Sequence, residues 1–216
     1  MDFEQARFNM VEQQIRPWDV LDPTVLDLLS KVRREEFVPQ QYRNLAFTDM
    51  GIPLGNGELM LSPKLEARLV QDAGVRPADR VLEVGTGSGY MAALLAHLAQ
   101  QVYTVDIVAE FVEQAKRRFS QQNIRNIVAE AGDAARGWDA HAPYDVILIT
   151  GSMPVLPEAY ERVLAPGGRL IVILGDPPIM TAYRIERTGD GFSREGLFET
   201  SVKALRNAPQ PARFVF

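Results

Sequence analysis

The sequence predicts an α/β protein with a Rossmann-like, doubly wound and mostly parallel sheet, an antiparallel C-terminal hairpin and a helical N-terminal extension. Three observations predict it. From Arg76 onward, short β-type apolar runs alternate with helical patterns, as in a parallel sheet covered on both faces. The glycine cluster Gly85-Thr86-Gly87-Ser88-Gly89 sits where the first of those runs gives way to a helix. The composition is globular: 216 residues, 46% hydrophobic and 24% charged, a length that suits one compact unit.

Residues 1–75 read as the helical extension with a loop, and 76–216 as the sheet domain. Phe8, Val11, Gln14 and Ile15 share a helical face until Pro17 breaks it. Asp22-Pro23 opens a second helix as N-cap and first residue, with Val25, Leu26, Leu28, Leu29 and Val32 on its apolar side. Asp49–Pro63 is crowded with glycine and proline and reads as loop or short extended chain. Ser62-Pro63 then starts a helix toward Gly74. Arg80–Val84 is a strand, Tyr90–Ala99 a buried helix, Val102–Asp106 a strand and Val108–Ser120 an amphipathic helix with Lys116, Arg117 and Arg118 outward. Ile127–Ala131, Tyr144–Thr150 and Arg169–Leu174 are further strands. Ala182–Arg187 and Thr200–Leu205 flank the polar Thr188-Gly189-Asp190-Gly191 and predict the edge hairpin.

Several classes are excluded or disfavoured. A net charge of −5 lacks the basic footprint needed to hold nucleic acid or an anionic membrane. With no Cys, disulfide frameworks and thiolate chemistry are out. Met1-Asp2-Phe3-Glu4 lacks the pattern of a secretion signal, so a cytoplasmic location is expected. His97 and His141 are isolated, and no metal site is expected from them. Trp18 and Trp138 read as packing residues.

The glycine loop is the most informative segment. Glycines after a strand let a ligand approach the backbone, and the helix that follows offers free N–H groups. The spacing is Gly-x-Gly-x-Gly, with Tyr90 where a dinucleotide binder needs its third glycine. Asp106 ends the second strand 21 residues after Gly85, the place of a carboxylate that accepts from ribose hydroxyls. Asp133 follows the third strand and is placed to accept from an adenine amine. Taken singly, the loop also reads as a packing turn and Asp106 as a helix cap. In order, at successive strand ends, they point to a nucleoside-type ligand.

These residues, with Leu164-Ala165-Pro166-Gly167-Gly168-Arg169-Leu170, resemble class I S-adenosylmethionine-dependent methyltransferases. A narrower resemblance covers nearly the whole chain. Arg33-Arg34-Glu35-Glu36-Phe37-Val38-Pro39, Ala46-Phe47-Thr48-Asp49, Ile52-Pro53-Leu54-Gly55-Asn56-Gly57 and Pro143–Thr150 are similar to protein-L-isoaspartate O-methyltransferases. The resemblance implies a methyl donor, S-adenosylmethionine, held at Glu83, Gly85, Thr86, Gly87, Ser88, Gly89, Asp106, Ile107, Asp133 and Ala134. It implies S-adenosylhomocysteine as product. It also implies a substrate-side loop at Ile52, Pro53, Leu54, Gly55, Leu59 and Leu61, and as acceptor the isoaspartyl carboxylate of a damaged protein or peptide. The chain departs from the pattern in two places, the first in the loop. Where the family reads Gly-x-Thr-Ile-Ser-x-Pro, this chain reads Gly57-Glu58-Leu59-Met60-Leu61-Ser62-Pro63. Leu61 stands at the active-site serine, and Ser62, one place late, reads as the N-cap of the next helix. Asp49 and Ser62 are the remaining catalytic candidates. The departure keeps two other readings open, a different methyl acceptor and a silent cofactor-binding protein. The family's Val-Pro-Leu-type segment has no match in the tail Asn207–Phe216.

Overall fold

The computed structural model describes residues 2–189 and 191–211. Asp2 caps α1 (Phe3–Met10) by accepting from the Glu4 and Gln5 amides. A wide turn over Val11–Ile15 leads into Arg16–Trp18, where Pro17 ends the helical course. Asp22 and Pro23 start α2 (Pro23–Lys31), the carboxylate accepting from the Thr24 amide while Val25, Leu26, Leu28 and Leu29 face inward. The glycine-rich loop region contains a small antiparallel hairpin, β1 (Ile52–Gly55) and β2 (Glu58–Met60). Its turn passes through Asn56 and Gly57, both at positive φ. α3 (Pro63–Ala73) follows.

The sheet is seven-stranded, in the order β5-β4-β3-β6-β7-β8-β9. Its parallel part comprises β3 (Arg80–Val84), β4 (Gln101–Asp106), β5 (Ile127–Ala131), β6 (Tyr144–Met153) and β7 (Leu164–Asp176). The helices between them are α4 (Tyr90–Leu98), α5 (Ala109–Gln121) and α6 (Glu158–Arg162). β8 (Ile179–Thr188) and β9 (Gly191–Thr200) close the edge as an antiparallel hairpin. The chain leaves β3 for β4 on one side and returns to β6 on the other. Loops diverge at such a reversal and leave a crevice at the strands' carboxyl ends.

Hydrophobic burial fixes this arrangement. One face of the sheet, through Val81, Val102, Val146 and Ile171, shares a core with α4 and with Met10, Ile15, Leu29 and Phe37 of the N-terminal segment. The other face joins Leu82, Ile147, Leu170 and Val172 to Tyr144 and Tyr160. The edge hairpin corrects one expectation. Its second strand is Gly191–Thr200, not Thr200–Leu205, which beyond Thr200 crosses to β6 and meets it in a single parallel bridge from Ala204 to Ser152. Residues 191–196 are exposed along the whole edge, so Ser193-Arg194-Glu195 carries no apolar alternation to mark a strand. Asp190, in the expected turn, lies outside the described residues.

Candidate active site

A cavity of about 610 Å³ opens at the carboxyl ends of the parallel strands. One wall comes from the sheet: Gly85 and Gly87 after β3, Asp106 and Ile107 after β4, Asp133 and Ala134 after β5, Thr150 and Gly151 within β6. The opposite wall comes from the hairpin and the start of α3, through Leu54, Leu59, Leu61, Ser62 and Lys64. The segment after β9 completes the enclosure with Val202, Lys203, Leu205 and Arg206.

The loop after β3 needs its glycines for close approach. Gly85 sits at φ +102°, and a Cβ there would lie 2.2 Å from the Thr150 hydroxyl oxygen. That hydroxyl donates to the carbonyls of Val84 and Gly85 at 2.9 and 3.0 Å, tying β6 to the loop. Gly89, at φ +84°, would place a Cβ 3.0 Å from Ala115 and Phe119 of α5. Arg118 also serves the loop, donating to the Ser88 carbonyl at 2.9 Å. It is therefore not simply one of the solvated cations beside Lys116 and Arg117.

Asp106 combines its two sequence readings. Its carboxylate accepts from the amides of Gly87 and Val108, each at 2.8 Å, and remains on the cavity wall. Burial pushes its pKa up, and the two N–H bonds pull it back. Each oxygen keeps acceptor capacity for a diol. Asp133 accepts from the Ala135 amide at 2.9 Å and from the Asn207 side chain at 2.8 Å.

Several expected cofactor residues stand behind the wall. Glu83 is fully buried and off the cavity, its carboxyl accepting from the Thr104 hydroxyl. Thr104 in turn is 2.6 Å from the Thr86 hydroxyl oxygen. Burial pushes the Glu83 carboxyl up to about 8, so it is mostly protonated at neutral pH. Thr86, Ser88 and Gly89 also miss the lining; the tight strand-to-helix turn points Thr86 and Ser88 inward, where both are buried. Their place is to hold the loop in shape.

Of the residues expected on the substrate side, Ile52, Pro53 and Gly55 do not reach the cavity, whereas Leu54, Leu59 and Leu61 do. Ile52 is turned into the core. Asp49 stands off the wall and pairs with Lys64 at 2.7 Å. Ser62 has the extended backbone of an N-cap, but its hydroxyl makes no capping bond and it lines the cavity. The loop is pinned by Arg34, which is buried. Arg34 donates to the carbonyls of Leu61 at 2.6 Å and Ala46 at 2.5 Å, and to Glu66 at 2.9 Å.

The strap after β9 carries site residues that sequence reasoning missed. Its base pairs with β6: the Ser152 amide donates to the Lys203 carbonyl at 3.0 Å, and the Leu205 amide to the Ser152 carbonyl at 2.9 Å. Its tip clamps the hairpin turn. Lys203 donates to the Gly57 carbonyl at 2.7 Å and to Glu58 at 2.8 Å. Arg206 donates to Glu58 at 2.8 Å and to the Asn56 carbonyl at 2.5 Å. Burial pushes the Glu58 carboxyl up, but the two cations outweigh it and hold it below the usual range. The only hint in the sequence is a pair of cations, Lys203 and Arg206, just past an edge strand. The tail Asn207–Phe216 follows the strap, and its residues 212–216 lie outside the described residues.

Among the described residues, no group of three or more His, Asp or Glu side chains is placed to hold a metal ion, and no helix is long and apolar enough to cross a membrane. His97 bonds the Ala93 carbonyl and His141 pairs with Glu130.

Comparison with known proteins converges on one family. The family model described as Protein-L-isoaspartate(D-aspartate) O-methyltransferase (PCMT) matches residues 5–200. A protein-L-isoaspartate O-methyltransferase of Gloeobacter violaceus is 40% identical over 205 residues, covering 93% of this chain and 99% of that protein. One from Synechococcus sp. (strain JA-2-3B'a(2-13)) is 39% identical over 203 residues, covering 91% and 83%. A solved protein-L-isoaspartate O-methyltransferase superposes with a TM-score of 0.79 at 25% identity, over 92% of this chain but only 65% of its own. The fold is also that of a Plasmodium falciparum structure described as a putative enzyme of this kind in complex with S-adenosyl-L-homocysteine (TM-score 0.79, 18% identity, 95% and 99% coverage). The chain belongs to the protein-L-isoaspartate O-methyltransferase family and is an S-adenosylmethionine-dependent methyltransferase.

Proposed function

We propose that this enzyme methylates the free carboxylate of L-isoaspartyl residues in damaged proteins or peptides, acting in the cytoplasm. The observation that carries the reading is one continuous cavity, with a nucleoside-type wall at the sheet edge and an acceptor loop opposite. The wall residues fit the donor. Asp106 offers a carboxylate with spare acceptor capacity, the glycines at 85 and 87 leave the backbone bare, and Asp133 stands at the next strand end. Asp106 would hold the ribose, the glycine loop the amino-acid end and Asp133 the adenine side.

S-Adenosylmethionine, when bound, supplies a methyl group on a cationic sulfur. An acceptor carboxylate is already ionised at neutral pH, so no side chain has to remove a proton. The chain's task is to align the acceptor oxygen and keep water out. The strap and the hairpin turn do the second by bridging the mouth through Glu58. Arg34 does the first by fixing the carbonyl of Leu61, and with it the acceptor loop. This division explains how the family chemistry tolerates Leu61 at the serine position. A positioned hydroxyl refines alignment, but the bond-making step does not require it.

The test is transfer of labelled methyl from S-adenosylmethionine to an isoaspartyl peptide and to its normal aspartyl twin. Base-labile label on the isoaspartyl peptide alone is expected. Equal labelling of both peptides, or none with S-adenosylhomocysteine binding intact, would overturn the reading.

A further inference from the structure

The acceptor wall is apolar where it meets the mouth. Leu59 is 54% exposed in the middle of β2, while the next residue, Met60, turns into the core, as strand alternation requires. Beside it lies Gly51. A Cβ built there would sit 3.3 Å from the Met60 carbonyl oxygen and 3.6 Å from Cβ and Cδ1 of Leu59, so the bare glycine leaves a notch along that leucine. Met50, next in the chain, is 45% exposed. Leu61 continues the apolar surface inward.

The cations at this rim are already engaged. Lys64 is paired with Asp49, and Lys203 and Arg206 share Glu58. A carboxylate pressed against Leu59 would lose water and gain no hydrogen bond, which is costly. The leucines must therefore serve another part of the acceptor. The neighbour on the N-terminal side has its Cα about 3.8 Å from that of the acceptor, and on the C-terminal side the isoaspartyl linkage adds one methylene, so a flanking side chain reaches the rim when the acceptor carboxylate is inside.

We propose that Gly51, Leu59 and Leu61 form a subsite for an aliphatic side chain flanking the acceptor, so that the enzyme selects isoaspartyl sites in apolar sequence contexts. The proposal rests on the isoaspartyl reading above and deepens it. The test uses isoaspartyl peptides identical except for Leu, Ser or Lys at the flanking positions. The wild-type enzyme should favour Leu over Ser by roughly tenfold in kcat/KM, the discrimination a modest apolar pocket achieves. In Leu59→Ser and Leu61→Ser that ratio should fall toward one. S-Adenosylhomocysteine affinity, measured by calorimetry, reports that each variant is folded. Equal wild-type rates on the Leu and Ser peptides, or a preference that survives both substitutions, would overturn the subsite and leave the isoaspartyl activity standing. Failure to methylate any of the peptides would instead remove the isoaspartyl reading, and the subsite with it.

Discussion

Replacing Glu58 with Gln should loosen the strap and weaken retention of S-adenosylhomocysteine. In the native protein the carboxylate accepts from Lys203 and Arg206, each at 2.8 Å, with those cations 48% and 41% exposed and the carboxylate itself 22%. Solvent screening limits exposed pairs of this kind to about 0.2–1 kcal/mol each. A glutamine oxygen still accepts a neutral hydrogen bond, so the net loss is about 1 kcal/mol, or roughly fivefold in the closed-to-open ratio of the strap. The variant should therefore bind S-adenosylhomocysteine roughly fivefold more weakly, by faster dissociation. Salt gives an independent arm. Raising ionic strength should weaken the wild-type enzyme and leave Glu58→Gln less affected, because screening acts on the pair already removed. The pH dependence has a fixed sign. Glu58 is held below its ordinary pKa, so its contribution is present above the ordinary carboxylate value and lost as pH falls through the lowered one. At sufficiently acid pH the two proteins should converge. Calorimetry and stopped-flow dissociation measure all three. Identical affinity, dissociation rate and salt dependence in the two proteins would refute the clamp of the strap on Glu58.

Asp106→Ala should weaken S-adenosylhomocysteine by about 2 kcal/mol, roughly 30-fold, the cost of losing charged hydrogen-bond acceptors at a cavity wall, read by calorimetry. Glu83→Gln tests the buried carboxyl. Because burial pushes its pKa up to about 8, the native state binds a proton that the unfolded chain releases above about pH 4.3. Wild-type stability therefore falls as pH rises from that value toward 8, and Glu83→Gln should flatten this slope in thermal unfolding measured across pH. Arg34→Met leaves Glu66 buried and unpaired and should cost about 3–5 kcal/mol of stability in denaturant titrations. A loss under about 1 kcal/mol would show that Arg34 does not pin the loop at Leu61.

The parts legible in the sequence were those governed by local rules. β3, β4 and β6 announced themselves as short apolar runs, and the turn at Gly85–Gly89 by spacing alone. Asp106 and Asp133 followed because a parallel sheet delivers successive strand ends to one edge. The illegible parts were those decided by tertiary contact. Glu83 and Thr86 sit in the glycine motif, yet packing turns them away from the cavity into a buried chain with Thr104. Arg118 looked like one of a run of surface cations until α5 docked it on Ser88. β9 lacks apolar alternation because it is an edge, which displaced the expected strand and hid the strap behind it. The Lys203 and Arg206 contacts with Glu58 join residues about 145 positions apart, beyond any local pattern.

Locating the transferred methyl group tests the central claim most directly. A single turnover on a peptide carrying one isoaspartyl residue, one normal aspartate and a free C-terminus, followed by fragmentation mass spectrometry, would assign the ester to one of these carboxylates. The isoaspartyl carboxylate alone should carry the added methyl. A methyl on the aspartate side chain, the C-terminus or any nitrogen would contradict the proposed acceptor, whatever the affinity for S-adenosylmethionine.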